Sequence, residues 1–307
     1  MFKASYNRAV LRLKLTTVTP LSIRAGDVGL DPSSSDLVCI RTRHAQRGRT
    51  VFVPGSGLKG VVRSSAEAML RGADIQNAAC DPAAHRQNCG TYEPERGEPD
   101  GAGVHKKTCL ACRLFGSTAM KARCSVRDLF PFEAVSGELS EEQERNRELA
   151  NKVEVRPGVL IGRIEGSVKH GPFEQEMVPA GVSFWGDVAL ENFQAWQLGL
   201  LVATLQELDE GFLQLGSGKS KGLGVVRAEV LSLLHEQRAG AGVPSGVGAL
   251  VAREEAERYG LLAEVLFPAA QGKRHGLMDR FLVAGDSLNA WKEAGLAGLE
   301  KLTGAAR

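Results

Sequence analysis

No stretch of this 307-residue sequence is long or apolar enough to span a bilayer, which excludes a helical membrane protein. Residues 1–6 (MFKASY) lack the apolar core of a signal peptide, so the expected location is cytoplasmic, with no membrane partner. Net charge is also scarce, at +2: no global field announces nucleic acid, and any site for it must be a local concentration of Lys and Arg. Such concentrations occur at Arg41, Arg43, Arg47 and Arg49 and again at Lys219 and Lys221, although one cluster taken alone reads as a solvated loop. Six cysteines in a reducing compartment read as thiols or metal ligands rather than disulfides. The length allows one large domain or two, with apolar content ample for a core.

A nucleotide-binding loop is missing as well. Gly218, Lys219 and Ser220 match the end of a Walker pattern, but its first glycine would fall on Leu213. The element order is also reversed, because a helical stretch from Phe193 to Leu208 precedes the segment and a strand follows it, leaving no helix N-terminus for a phosphate. What remains is a pair of Gly/Ser/Lys segments, 54–60 (PGSGLKG) and 215–224 (LGSGKSKGLG), in which backbone and cations can approach a phosphate closely.

The first segment runs into an amphipathic helix ending near Arg71, with Leu58, Val61, Val62, Ala66, Met69 and Leu70 on one face. Before it, residues 9–23 alternate as a strand, 24–36 are loop by composition, and short strands are expected at 37–41 and 50–53 around a basic turn. Residues 72–121 are polar and rich in Gly, Pro, Cys and His, an insertion that cannot bury a core alone. Pattern resumes at 125–129, and 138–147 reads as a solvated helix or loop. A hairpin is expected over 153–176, with turn glycines Gly158 and Gly166 and the pair His170–Gly171 near its tip. A strand at 178–190, a second helix capped by Asn192 and a strand from Val225 complete the series. Trp185 and Trp196 read as core.

The order predicts an α+β fold, a ferredoxin-like, RRM-like βαββαβ core over residues 1–234 with both helices on one face of the sheet and the other face open. Residues 235–307 read as a linker and a helical C-terminal extension, with helical patches at 250–262 and 286–302 and Trp291 packing in the tail.

Cys109 and Cys112 have the spacing by which two thiolates from one tight turn reach a metal ion, and Cys80 and Cys89 complete a four-thiolate site; His85 or His105 can replace one of them. A closed thiolate site is structural, and zinc there would staple the insertion. Cys39 and Cys124 fall in strands and read as buried apolar residues.

Residues 54–60 with the following helix and Arg63 resemble the "PGSSLKG...R" element of RAMP-superfamily proteins from CRISPR effector complexes, and 215–224 resembles their C-terminal glycine-rich loop. Between them, residues 112–116 (CRLFG), Arg127–Asp128, the 156–162 hairpin segment and 178–181 (VPAG) follow in the order of the type III backbone subunits, the Cas-seven group. The resemblance covers about residues 9–233. It implies a subunit that binds a CRISPR RNA guide and stacks along it with other effector subunits or copies of itself. A β-hairpin thumb, here 153–176, wedges between bases. Guide-backbone contacts are then expected at Arg41, Gly55, Ser56, Gly57, Lys59, Arg63, Gly218, Lys219 and Lys221.

The resemblance further implies a divalent-metal-dependent endoribonuclease that cuts complementary target RNA, through an Asp before a short strand. Asp36, ahead of Ile40–Arg41, takes that place, with Mg²⁺ or another divalent cation offsetting developing charge; Asp27 and Asp31 lie in the same loop. Two alternatives stand beside this: a structural backbone subunit that only binds, and a CRISPR RNA-processing endoribonuclease of the same superfamily, for which His44 is the nearby histidine.

Overall fold

Strict alternation of apolar and basic residues makes the first strand two-sided. β1 (Asn7–Thr17) buries Ala9, Leu11, Leu13 and Leu15 and turns Arg8, Arg12 and Lys14 the other way. The computed structural model describes residues 3–24, 35–84, 88–90, 101–133 and 137–304. Asp27, Asp31 and His85 lie outside the described residues.

After β1 come the hairpin β2 (Arg41–His44) and β3 (Gly48–Val51), helix α1 (Gly55–Gly72), short helices α2 (Gly101–Lys107) and α3 (Leu110–Phe115), and strand β4 (Cys124–Val126). Helix α4 (Glu141–Asn151) precedes a second hairpin, β5 (Glu154–Ile161) and β6 (Val168–Met177). Then follow β7 (Ser183–Glu191), α5 (Ala195–Glu210) and β8 (Val226–Arg238). The C-terminal part adds α6 (Val247–Leu250), α7 (Arg253–Tyr259), β9 (Lys273–His275), β10 (Met278–Val283) and α8 (Gly285–Gly304).

The main sheet is antiparallel with order β4-β7-β1-β8-β10-β9. Its inner part, β4-β7-β1-β8, with α1 crossing from β1 to β4 and α5 from β7 to β8, is the expected ferredoxin-like core. The α1 stripe Leu58, Val62, Ala66 and Leu70 is buried, as its spacing requires. Helix α5 is buried almost all round because α8 covers its outer side. The two meet at glycines: a Cβ on Gly199 would lie 2.0 Å from the Gly295 carbonyl oxygen. Trp291 of α8 stacks on Phe267 at 4.8 Å and packs edge-on to His235 of β8, so the extension shares the core.

Several local expectations change. The insertion contains helices α2 and α3, and every side chain of α3 is buried, because its neighbours α1 and β4 supply the core it lacks alone. Gln194, not Asn192, caps α5; Asn192 sits at φ 47° and instead binds the Tyr6 amide and the Ala4 carbonyl. Besides its helices, the extension supplies the strand pair β9–β10. Trp185 is not core: its neighbours Phe184 and Gly186 take the inward parity of β7, which puts the indole on the opposite face beneath Lys14, 5.9 Å from the ammonium. That face is partly covered by α4, where Asn146 bonds to both backbone groups of Ser183, leaving a groove of about 500 Å³ lined by Lys14, Trp185, Arg145 and Leu231.

Candidate nucleic-acid interface and metal centre

The later glycine-rich segment lies at the end of the sheet where β1 finishes and β8 starts. Thr17 faces Val226, and the later loop folds back on the β1 exit through Ser217 N–H to the Ser22 carbonyl at 2.9 Å and Gly224 N–H to the Pro20 carbonyl at 3.0 Å. The earlier segment is anchored farther back along the sheet: Val53 and Leu129 exchange N–H···O bonds of 2.9 Å, and Phe130 bridges to Trp185, which faces Lys14 of β1.

The later loop projects its cations. Lys219, Ser220 and Lys221 form one exposed 3-10 turn bracketed by Gly218 at φ 76° and Gly222 at φ 81°. Gly224, at φ 82°, is required by packing: a Cβ there would lie 1.9 Å from the Leu215 carbonyl oxygen.

At the earlier segment, part of the expected contact set has other work. The Gly55 amide donates to Asp128 Oδ1 at 2.8 Å, and a Cβ on Gly55 would sit 2.2 Å from the Val126 carbonyl oxygen. This glycine lets α1 start against β4, and Asp128 caps the helix where Pro54 offers no side-chain cap. The Gly57 amide bonds back to the Pro54 carbonyl at 3.0 Å. Neither amide is left to a phosphate, which corrects the expectation for Gly55 and Gly57. Ser56 is exposed; Lys59 is half-buried, and burial lowers its pKa, partly offset by Cys124.

Arg63 and Arg41 are likewise redirected. The Arg63 guanidinium donates to Glu67 Oε1 at 2.8 Å, the Gly116 carbonyl at 3.1 Å and Cys112 Sγ at 3.5 Å. Burial would lower its pKa, but these partners outweigh burial and raise it. Arg41 pairs with Glu176 at 2.8 Å, both partly buried, and also donates to the Cys39 carbonyl.

The β5–β6 hairpin carries an unusual exposed apolar surface, with Val155, Val159, Ile161, Ile164 and Val168 all solvent-facing and Ile164 97% exposed. Its turn is residues 162–167; Gly158 pairs with Phe173 and His170 with Leu160 within the ladder, which moves both away from the tip. At its base, Leu37 runs parallel to β6, bridging Gln175. Asp36 is exposed there and accepts the Glu174 amide at 2.8 Å, so its carboxylate is held against the hairpin.

The Sγ atoms of Cys80, Cys89, Cys109 and Cys112 all lie within 4.8 Å of one another, and this group can hold a metal ion. The Cys80–Cys112 separation of 3.7 Å matches the spacing of about 3.8 Å that tetrahedral Zn–S bonds of about 2.3 Å impose. Amides of Cys80 and Cys109 donate to Cys109 and Cys89 sulfurs at 3.3 Å each, and Cys112 N–H to Cys109 Sγ at 3.5 Å. Hydrogen bonds from the thiols of Cys112 and Cys89, aided by the Cys112 and Cys80 amides, hold the Cys109 thiol well below the usual thiol range. His105 is not a ligand: it is buried between the Tyr259 carbonyl at 2.8 Å and Arg123 at 2.9 Å. Cys39 and Cys124 are buried as expected, which pushes their thiols up to about 11 and about 12.

Two features were missed from sequence alone, the Asp128 cap and the Arg63 bond to the cysteine site. The pair Arg127–Asp128 was visible as a motif, but its target is set by the fold.

A model of the RAMP superfamily matches residues 14–227. A chain of the solved structure "Type IV-B CRISPR Complex" is similar with a TM-score of 0.50 and 18% identity, over 72% of this chain and 89% of that one, a likeness of fold. No curated protein matches the sequence. No helix among the described residues is long and apolar enough to cross a membrane.

Proposed function

The chain belongs to the RAMP superfamily, and from that premise we propose that it is a CRISPR RNA-binding backbone subunit of a cytoplasmic effector complex. The observation that carries the reading is the meeting, at the exit of β1, of the loop that holds the exposed Lys219–Lys221 turn and the base of a hairpin with exposed apolar side chains, since Ser22 bonds to both Ser217 and Gln175. Cations with no base-reading groups suit an RNA backbone, while Ile164 and its neighbours suit a wedge between stacked bases. The guide then supplies sequence specificity by pairing with target RNA. Ser56, Lys59, Gly218, Lys219 and Lys221 are the proposed backbone contacts. Other effector subunits and copies of this chain are the proposed neighbours, and the motif order supports a type III complex. Zinc is the proposed occupant of the four-cysteine site, where it ties Cys80 and Cys89 to α3.

Cleavage of target RNA is proposed for Asp36. A divalent cation held by one protein carboxylate takes its other ligands from phosphate and water, so a single exposed carboxylate beside bound RNA fits that chemistry. Such an ion offsets charge developing on the scissile phosphate. Asp36, fixed by the Glu174 amide, would orient the attacking 2′-hydroxyl of the target.

Anisotropy of labelled guide RNA against salt tests the binding reading. With Lys219→Ala/Lys221→Ala the slope of log affinity on log salt should shrink by about 1.4, since each lost single-strand phosphate contact removes about 0.7. An unchanged slope would remove these lysines from the interface. For cleavage, a reconstituted complex carrying Asp36→Ala that still cuts complementary RNA at every position would refute the assignment.

A further inference from the structure

We propose that the β2–β3 hairpin is a separate RNA-phosphate clamp formed by Arg43 and Arg49, which rests on the RNA-binding reading above. The two residues are direct partners across the antiparallel pair, so their side chains leave the same face. Both are exposed, and among the described residues neither forms an ion pair or a side-chain hydrogen bond. Like charges directly opposite in a ladder are destabilising, and the protein alone offers this pair no compensating carboxylate. Cβ atoms of directly opposed residues stand about 4.5–5.5 Å apart, a span over which two guanidinium forks can share the non-bridging oxygens of one phosphate.

The rest of the hairpin is braced, which leaves only this pair free to act. Arg41 is held by Glu176. Arg47 donates to the Gly137 carbonyl at 2.6 Å, and its own carbonyl accepts from Arg147 of α4 at 3.2 Å. Asn151, also of α4, binds the Val51 amide and Thr50 Oγ1 at 3.2 Å each. A rigid, short hairpin that spends its interaction energy on holding two repelling arginines in place is pre-organised for an anion.

Two placements favour RNA over an acidic protein surface. The hairpin is covalently inserted between the Asp36 segment and the start of α1, both of which carry proposed RNA contacts. On the hairpin's other face, to which His44 points, runs a row of rings: Phe52 stacks on Phe130 at 6.0 Å, Phe130 on Phe132 at 5.5 Å, and His44 meets both Phe130 and Phe132 edge-on at 5.2 and 5.0 Å. Of these, Phe52, Phe130 and His44 remain partly exposed, a stacking surface for bases on the same hairpin.

The test measures guide-RNA affinity of the full chain across a salt series for wild type, Arg43→Thr/Arg49→Thr and Arg43→Lys/Arg49→Lys, with Lys219→Ala/Lys221→Ala in parallel. Threonine keeps the strand propensity, so the hairpin survives. We expect the threonine variant to lose about tenfold in affinity and about 0.7 in salt slope, the share of one phosphate, and the lysine variant to recover the slope but only part of the affinity. Its melting temperature without RNA should equal or exceed that of wild type. Wild-type RNA binding that the threonine variant matches in affinity and slope overturns the clamp while leaving the parent reading intact. A threonine variant that binds RNA normally but fails to join partner subunits assigns the pair to an acidic protein and also overturns it. Wild type that binds no RNA overturns the parent reading and the clamp with it.

Discussion

The Arg63 guanidinium reaches Cys112 Sγ at 3.5 Å, so the first helix of the core is bonded directly to the cysteine site. One turn on, Glu67 holds Arg63 at 2.8 Å and Arg71 at 3.5 Å, and Arg71 donates to the Cys80 carbonyl at 2.8 Å. The i, i+4, i+8 row on α1 is therefore a seam along the insertion.

Removing Arg63 should weaken metal retention before it weakens anything else. Arg63→Ala is expected to lower zinc affinity by about tenfold or more, the usual cost of losing an outer-shell partner. Competition with a chromophoric chelator reads this out. Because the Arg63 guanidinium is spent on Glu67, Gly116 and Cys112, the salt slope of RNA binding should be unchanged.

Metal removal itself should unfold the insertion. Chelation, or Cys109→Ser, is expected to abolish stoichiometric zinc in elemental analysis and to destabilise the chain by about 3 kcal/mol or more. A melting curve indifferent to chelator in a protein purified with zinc would contradict a structural role.

Asp128→Ala should cost about 1 kcal/mol through loss of the α1 cap. The denaturant midpoint measures it, and Asp128→Asn, which keeps an acceptor for the Gly55 amide, should restore most of the loss.

Acid should loosen the docked extension. Burial, only partly offset by Gln237 and Glu236, lowers His235 from 6.5 to about 4, so its neutral form is the folded one. A folded pKa below the unfolded value means the stability it contributes is complete above 6.5 and is lost as pH falls toward about 4. His235→Phe, in a site already lined by Phe193, Phe267, Phe281 and Trp291, should flatten the pH dependence of melting across that window. His105, lowered to about 3 by burial and Arg123, leaves a residual slope in the variant.

The core order was legible because its signals are local and periodic: alternation in β1, a 3.6-residue stripe in α1, glycines at the two loops, and cysteines whose pairing needs only one turn plus two neighbours. What was not legible depends on long-range register. Trp185 reads as core by size, yet a one-residue parity in β7 decides its face. Arg63 reads as an RNA ligand by motif, and only the path of residues 72–121 brings a sulfur to it. The β9–β10 pair has too few residues to show a period, and β8 supplies the template that makes it a strand.

The placement of β10 beside β8 has a consequence for how copies of the chain can meet. The flank that a four-stranded core would leave unpaired is closed from within the chain, and the outermost strand is now β9, three residues long, exposed and composed of Lys273, Arg274 and His275. Short and cationic borders of this kind repel a second sheet. Backbone pairing of another strand onto this side is therefore opposed by the chain itself, and the sheet ends here by its own design.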